Sequence, residues 1–375
     1  MLRGGPRDAA RVFAGPSTRP VYAPRAPPTA PNRPRPSPAS HQNTMSSENG
    51  RPRTVRRRVV AAVLGTVVAL AAGEVVVRVA RPSYAPRRAD YGIAPLPGPP
   101  PTWVYRPGST VAFTWDGDPL GVLPPGARME TRVNALGLRG SLPAPGARSA
   151  VVLGDSFTFG EGVAEAETFV GRLDAAWRGR GTRFVNAGVA GHGTVEEAAR
   201  LVGLLDRLRP AAVLLVHVPN DAIPWDHSAE RGTDLLNVAA PSGSRLLGLL
   251  RSVASTGDVE QWYLSYYRGE RAEHWERARD ALLWMAGTCA ARNVRCGVVT
   301  FPLLHRLDDY PLAEITSLVE AAARDAHVPF LDLTPSFAGR DAPALWAHPA
   351  DRHPNARAHA IAAEAMGPFV EGLLR

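Results

Sequence analysis

The sequence contains no lysine and only two cysteines, Cys289 and Cys296, among its 375 residues. Two cysteines are too few for a fold framed by disulfides, and their spacing matches neither a zinc knuckle nor a redox pair. They are expected to be a buried thiol pair near a helix–strand junction, or a single disulfide if the domain is exported. Because lysine is absent while alanine, proline and glycine abound, the arginine content reflects compositional bias and carries little functional weight.

Acidic residues are scarce at the start of the chain, and this explains the net charge of +8. The first 58 residues hold twelve arginines against Asp8 and Glu48, a net of +10, which leaves −2 for the remainder. The positive charge therefore belongs to a tail and not to a folded surface. This distribution argues against a nucleic-acid partner for the folded part.

Residues 1–55 are rich in Pro, Arg, Ser and Ala without apolar periodicity, which predicts a disordered tail. Met45 is an alternative start within it. Arg56–Arg58 then precede an apolar run, Val59–Val77, that is interrupted only by Glu74. These nineteen residues would rise about 28 Å as a helix, close to the roughly 30 Å of a bilayer core.

The segment 56–79 has three interpretations. As a single-pass anchor it would keep its arginines in the cytoplasm and place everything downstream in the periplasm or outside the cell. As a cleaved signal, it offers the small-residue site Ala69-Leu-Ala71. As a buried soluble helix, it would be unusually apolar all round. The anchor is favoured, and the first two interpretations agree on export.

Residues 80–147 combine dense proline and glycine with aromatic residues, which predicts a small irregular β-rich extension. From residue 148 to 375 apolar strands and amphipathic helices alternate, the pattern of an α/β domain with a parallel sheet covered on both faces. Strands are predicted at 149–153, 183–185, 211–216, 296–300 and 330–333, and helices at 167–177, 195–208, 273–292, 312–326 and 356–374.

Four short stretches follow predicted strands or precede the last helix, at the edge where such sheets bind ligands. Gly154-Asp155-Ser156 follows the first strand of the sheet, and its serine is a candidate nucleophile. The glycine-rich segment 186–193, which contains Gly191, follows the second strand, and Asn220 follows the third. Asp351-Arg352-His353 lies just before the final helix.

Taken in order, these stretches resemble the four blocks of the SGNH, or GDSL-type, hydrolases over residues 148–375. The preceding segment, with Asn134 and Arg139-Gly140, is similar to that of membrane-anchored bacterial members. The resemblance implies a three-layer α/β/α flavodoxin-like sandwich and a serine acyl-ester hydrolase that works through an acyl-enzyme. It assigns Ser156 as nucleophile, His353 as base and Asp351 as its orienting carboxylate, with the N–H groups of Ser156 and Gly191 and the Asn220 amide as oxyanion donors.

These residue types suit acyl transfer on physical grounds. A serine hydroxyl is a weak nucleophile that needs a neighbouring imidazole to take its proton, and the imidazole needs a carboxylate to hold its tautomer. Charge on the carbonyl oxygen needs preplaced donors, each typically worth about 2.7–4 kcal/mol. Other polar residues nearby are expected to have structural roles: Asp155 as a turn or helix-cap residue, Asn355 as the cap of the last helix, and Glu161 and Asp221 as solvated or turn residues. Four further histidines lie in settings less suited to the role of base: His192, His217, His348 and His359.

Two positions depart from the family pattern. The orienting Asp usually lies three residues before the His, but that position is Ala350, and Asp351 lies two before. The shorter spacing also resembles SGNH-like polysaccharide O-acetyltransferases, which makes acyl transfer to a cell-envelope or secreted polysaccharide the alternative to hydrolysis. Pro219 replaces a glycine often found before the Asn, which leaves the Asn220 side chain more important. An inactive carbohydrate-binding module is a further alternative, disfavoured by the complete residue set.

The expected substrate is therefore an ester or an O-acylated carbohydrate. No cluster of side chains has the spacing of metal ligands, so neither a metal nor an organic cofactor is predicted. The insertion at 223–272 carries Trp262, Tyr263, Tyr266 and Tyr267. It is expected to shape one wall of the substrate site.

Overall fold

The computed structural model describes residues 51–80, 84, 87–96, 102–224 and 243–375, with side chains for all of these except 51–54 and 251–258. The predicted disordered tail therefore lies outside the described residues as far as position 50, together with Met45. The described part comprises the helix at 51–80 and a larger compact unit that follows it, and each is treated by itself.

The helix α1 spans Arg51–Ala80 and contains the segment predicted to enter a membrane. It begins five residues before the predicted boundary at 56. Over Val55–Ala80 it is long and apolar enough to cross a membrane: its most apolar stretch of 18 residues has a mean hydropathy of 2.3 and no buried residue. Its length and composition fit a membrane span and a signal anchor equally well.

The β-rich extension predicted before the main domain consists of two small antiparallel sheets. One contains β1 (Arg88–Asp90), β4 (Thr110–Thr114) and β5 (Arg128–Arg132), and the other contains β2 (Ile93–Leu96) and β3 (Thr102–Tyr105). The buried aromatic side chains of this extension, including Tyr105 and Phe113, pack with Phe159 and Val189 of the main domain. The extension is therefore built onto the α/β domain through a shared apolar cluster.

Five parallel strands form the central sheet in the order β10–β9–β8–β6–β7. These strands are β6 (Arg148–Leu153), β7 (Thr182–Asn186), β8 (Ala212–His217), β9 (Arg295–Thr300) and β10 (Phe330–Asp332). Strand β8 is buried along its whole length and β6 at all but its first residue, as expected for strands with helices on both faces. The predicted α/β fold is confirmed, and the strand order is the flavodoxin-like one.

Helices flank the sheet as the strand order requires. The strand order reverses at β6, which has β7 on one side and β8, β9 and β10 on the other. Because crossovers between parallel strands are right-handed, this reversal divides the helices between the two faces of the sheet. After the single turn α2 (Ser156–Phe159), the helices are α3 (Phe169–Arg178), α4 (Thr194–Leu208), α5 (Arg245–Ser265), α6 (Ala272–Ala291), α7 (Ala313–Asp325), α8 (Thr334–Phe337) and α9 (Ala356–Leu374). Helix α3 packs with α9, while α6 packs with α4 and α7.

A two-stranded hairpin, β11 (Trp346–His348) and β12 (Asp351–Pro354), precedes the last helix. Asn355 directly follows the hairpin. The Asn355 Oδ1 caps α9 by accepting hydrogen bonds from the Arg357 N–H at 3.0 Å and the Ala358 N–H at 3.1 Å. Its Nδ2 donates to the carbonyl oxygens of Ala344 and Trp346 at 3.0 and 3.1 Å. The predicted capping role of Asn355 is thus confirmed, and the same side chain fixes the hairpin against α9.

Two further predictions concern buried residues. Cys289 and Cys296 are buried free thiols at the junction of α6 and β9, in agreement with the thiol-pair interpretation.

The four aromatic residues of the insertion are buried too, between 0% and 6% exposed, and belong to the main core. They support the domain from within and do not form an open wall; residues 225–242 of the insertion lie outside the described residues.

Candidate active site

Strand β6 brings Ser156 to the carboxyl edge of the sheet. The strand ends at Leu153, and Ser156 becomes the first residue of the one-turn helix α2. The Asp155 carboxylate caps this turn, since its Oδ1 accepts a hydrogen bond from the Phe157 N–H at 2.8 Å. The expected structural role of Asp155 is confirmed, and Ser156 is only 6% exposed.

Strand β12 presents Asp351 and His353 together. Alternate residues of a strand point to the same face, so a spacing of two places both side chains on one side. The His353 Nδ1 lies 2.5 Å from the Asp351 Oδ1, and the His353 N–H donates to the same oxygen at 3.3 Å. Strand geometry therefore explains how the two-residue spacing of Asp351 and His353 can serve an Asp–His pair.

Ser156 and His353 lie side by side although 197 positions of sequence separate them. The His353 Nε2 lies 2.9 Å from the Ser156 Oγ, within hydrogen-bond distance. Nδ1 faces the Asp351 carboxylate and also lies 2.8 Å from the Arg87 Nη1. In the tautomer that serves catalysis, Nδ1 donates its proton to the nearer carboxylate and Nε2 accepts from the serine hydroxyl. The Phe157 ring, whose centroid is 5.6 Å from that of His353, packs beside the imidazole.

The residues predicted to bind an oxyanion follow β6, β7 and β8. The Asn220 Nδ2 donates a hydrogen bond to the Asp155 Oδ2 at 2.9 Å, which leaves its second N–H for another acceptor. Gly191 has a left-handed φ of +73° that favours glycine. The Ser156 N–H, at the first position of α2, has no acceptor within its own helix.

A second glycine of this region is needed for space. A Cβ on Gly188 would collide with the backbone nitrogen of Phe159 and approach the Asp155 carbonyl oxygen to 2.9 Å. The chain after β7 therefore passes directly against the turn that carries Ser156. Only glycine permits this approach, which brings the segment of Gly191 to the nucleophile.

Opposing effects set the protonation of the Asp351–His353 pair. Burial raises the pKa of the Asp351 carboxyl, but the charges of Arg87 and His353 outweigh burial and hold its pKa well below the ordinary value. Burial lowers the pKa of the His353 imidazole, but Asp351 and Glu161 more than compensate, so that this pKa is raised above 6.5. Asp351 thus stays ionised while His353 titrates.

Sequence reasoning missed Arg87, which comes from the extension. Its Nη1 lies 2.9 Å from the Asp351 Oδ2, and its Nη2 lies 2.5 Å from the Glu161 Oε2. Trp115, also of the extension, donates its Nε1–H to the Asp351 Oδ2 at 2.8 Å. No sequence pattern marks Arg87, because its partners are 74 and 264 positions away.

Glu161 was expected to be a solvated or turn residue, and it does lie in the turn that follows α2, but it is not solvated. Its side chain is fully buried, and its Oε2 lies 3.6 Å from the His353 Nε2. Arg139 holds the surrounding loop, since its guanidinium donates to the carbonyl oxygens of Phe159, Gly160 and Val163 at 2.6–2.7 Å. A charged residue between Gly160 and Gly162, directly after the nucleophile turn, was the available signal.

Asp221 was likewise expected to be a solvated or turn residue. It does form the turn, because its Oδ2 accepts a hydrogen bond from the Val218 N–H at 2.8 Å, but it is buried and not solvated. The four other candidate histidines have partners or packing elsewhere. His217 lies 2.8 Å from the Tyr267 hydroxyl, His192 lies 2.7 Å from the Trp103 carbonyl oxygen, His359 stacks on Phe169, and His348 packs against Tyr84.

Among the described residues, no group of three or more His, Cys, Asp and Glu side chains is arranged to hold a metal ion. The carboxylates near His353 are instead matched by a guanidinium. The chemistry available at this edge is that of a hydroxyl, an imidazole, carboxylates and backbone or amide N–H groups.

The fold and this constellation define an α/β domain of flavodoxin-like strand order with a serine, a histidine and an aspartate at the carboxyl edge of its parallel sheet. The sequence model of the GDSL-like lipase/acylhydrolase family matches residues 152–361, more than half of the chain. The chain belongs to the GDSL-like lipase/acylhydrolase family. Among the curated proteins no relative matches it.

Solved structures with similar architecture include three esterases or hydrolases. The esterase EstA from Pseudoalteromonas sp. is 16% identical, with 60% of this chain and 98% of that chain covered and a TM-score of 0.39. A catalytic mutant of Axe2, an acetylxylan esterase from Geobacillus stearothermophilus, is 16% identical, with 60% and 94% covered and a TM-score of 0.40. LAE5, an α/β hydrolase from the metagenome of Lake Arreo, is 19% identical, with 61% and 97% covered and a TM-score of 0.41.

Proposed function

We propose that this protein is a serine esterase that cleaves carboxylic esters through an acyl-enzyme on Ser156. The observation that carries the proposal is the continuous chain of contacts from the Ser156 Oγ through both ring nitrogens of His353 to the Asp351 carboxylate, at 2.9 and 2.5 Å. Membership of the acylhydrolase family supports the same reaction class.

The proposed reaction has two halves. The Ser156 Oγ attacks the ester carbonyl while His353 Nε2 takes its proton, and the imidazolium then gives this proton to the departing alcohol. Water next attacks the acyl-serine, again through His353, and releases the acid. Asp351 stays ionised throughout and stabilises the imidazolium.

Asn220 is proposed to stabilise the tetrahedral intermediate. Its Nδ2 is held by Asp155, so one N–H is fixed in direction before substrate arrives. We expect Asn220→Ala to lower kcat about 10²–10³-fold with little change in KM, because the bond strengthens only as the oxygen becomes negative. Steady-state kinetics on p-nitrophenyl acetate would measure both parameters. A change confined to KM would instead indicate a ground-state contact.

The site is proposed to work outside the cytoplasmic membrane. The apolar helix α1 begins with Arg51, Arg53 and Arg56–Arg58, and positive charge favours the cytoplasmic side of a membrane. A single span in this orientation would export the whole domain that follows. Cell fractionation with protease digestion of intact spheroplasts would test the orientation, because a cytoplasmic domain would be protected.

Hydrolysis is distinguished from acyl transfer by the acceptor. We expect the full-length protein in detergent to release acetate from p-nitrophenyl acetate and from O-acetylated xylan at rates that an added acetyl-free polysaccharide does not change. Acetate would be quantified enzymatically, and the polysaccharide would be examined for new O-acetyl groups by NMR. If acetylated polysaccharide formed in place of free acetate, the protein would be an acyltransferase and not an esterase.

A further inference from the structure

Two charged groups beside His353 have no part in the three-residue scheme. Arg87 comes from the segment before β1, and Glu161 comes from the loop after α2. Their side chains are 11% and 0% exposed, and the Arg87 Nη2 and Glu161 Oε2 are 2.5 Å apart. Burying an arginine and a glutamate at such depth is costly unless the charges are matched.

Arg87 matches two carboxylates at once. One terminal nitrogen faces Asp351 and the other faces Glu161, so the planar guanidinium bridges acids that lie on different elements. The Arg87 Cζ also lies 5.4 Å from the centre of the Phe113 ring, and the Arg87 Nη2 lies 3.2 Å from the Tyr91 hydroxyl. Arg87 is thus fixed on several sides by the extension.

The two carboxylates hold different ends of the imidazole. Asp351 contacts Nδ1, while the Glu161 Oε2 lies 3.6 Å from Nε2, the nitrogen that faces the Ser156 hydroxyl. Apart from its ion pairs, the Glu161 carboxylate accepts no hydrogen bond within the described part of the chain. A buried carboxylate in this position favours the imidazolium that forms during acyl transfer.

We propose that Arg87 and Glu161 are positioning residues that, with Asp351, form a charge-balanced frame around His353, so that the extension supplies a necessary part of the active site. This inference rests on the proposed esterase function. In the frame, Glu161 favours a protonated His353 and Arg87 opposes it. Arg87 also keeps Asp351 and Glu161 in place through one rigid group.

Every charged or titratable group that faces His353 must be considered in a test by pH. Asp351 lies on the same strand, Arg87 and Tyr91 come from the extension, and Asp155 and Glu161 flank α2. His359, from α9, is a neutral neighbour, because burial lowers its pKa to about 3. Burial lowers the His353 pKa, Asp351 and Glu161 raise it, and Arg87 lowers it.

The test therefore neutralises Arg87 and Glu161 separately. Arg87→Met removes a cation and should move the acid limb of kcat/KM to higher pH. Glu161→Gln removes an anion and should move the limb to lower pH, each by about one pH unit. The double variant should return towards the wild-type profile, because the two charges removed act on His353 in opposite directions. Arg87→Lys should keep the limb near that of the wild type but lower kcat, since an ammonium cannot bridge two carboxylates.

Matched controls come from an ion pair with no contact to the site. Arg183 contacts Asp174 at 2.7 Å, and Arg183→Met and Asp174→Asn remove charge from a similar arginine–carboxylate pair. Both should change thermal stability without moving the pH profile. The same controls separate a general loss of folding stability from a specific effect on His353.

A measurement without substrate separates this inference from the esterase proposal. The His353 imidazole would be titrated by NMR in protein labelled at its ten histidines, with the resonance assigned through His353→Gln. Opposite shifts of its pKa in Arg87→Met and Glu161→Gln support the frame even if no ester is hydrolysed. Shifts in the same direction, or none in either variant, would overturn it. If Arg87→Met fails to fold, Glu161→Gln and Arg87→Lys still decide.

Discussion

Ser156→Ala is expected to lower kcat/KM for p-nitrophenyl acetate by about 10⁴–10⁶-fold, since no acyl-enzyme can form without the hydroxyl. Alanine preserves the backbone of α2 and the Asp155 cap, which uses the Phe157 N–H and not the serine side chain. The fold and the melting temperature should therefore stay close to those of the wild type. Kinetics and thermal unfolding of the purified full-length protein would measure both.

The chain provides a control with the same chemical change. Ser149 is a fully buried serine on β6, the strand that leads to Ser156, and its hydroxyl has no hydrogen-bond partner in the described structure. Ser149→Ala should leave kcat/KM unchanged. Mass spectrometry after reaction with a fluorophosphonate should show one adduct on the wild type and on Ser149→Ala, and none on Ser156→Ala. Substantial turnover by Ser156→Ala would remove Ser156 from the mechanism.

Asp351→Asn is expected to lower kcat about 10⁴-fold, the scale of a histidine held in the wrong tautomer. The Asp351 Oδ2 accepts hydrogen bonds from Arg87 and from the Trp115 Nε1–H, both of which can only donate. An asparagine would place its oxygen against these donors and turn its NH₂ towards His353 Nδ1. The imidazole would then carry its proton on Nε2 and could not accept the proton of Ser156.

Asp174→Asn is the control for this change, because Asp174 is also an aspartate bound by arginines, Arg178 and Arg183. It should lose stability but keep kcat within a small factor. The histidine NMR spectrum should report the change of tautomer in Asp351→Asn directly. An unchanged kcat in this variant, with the fold intact, would show that Asp351 does not orient His353.

Much of the architecture could be predicted because it depends on local patterns. Strands β6 and β8 are continuous apolar runs, and an apolar run of that length between polar turns has few alternatives to a buried parallel strand. Helix α9 was predicted with the observed bounds, since Asn355 gives it a clear beginning. The other predicted strands and helices of the domain differ from the observed ones by one or two residues at their ends, which is the usual uncertainty of helix and strand ends. Helix α5 and the hairpin of β11 and β12 were not predicted.

The residues around His353 show where such reasoning stops. Glu161 was expected to be a solvated or turn residue, and a lone glutamate is indeed normally exposed. Its burial depends on Arg87 and Arg139, which come from separate parts of the chain. Charge matching over such distances leaves no periodic trace in the sequence. The same is true of Trp115, whose contact with Asp351 spans 236 positions of sequence.

The sequence by itself determined the α/β class, the apolar first helix and the set of chemical groups at the ends of the strands. Those properties follow from hydrophobic periodicity and from residue types within short windows. The tertiary structure alone decided that the Ser156 hydroxyl and His353 imidazole are 2.9 Å apart, and that Arg87 and Glu161 surround the histidine. Distances between side chains far apart in sequence depend on how whole elements pack, and packing is a property of the complete fold.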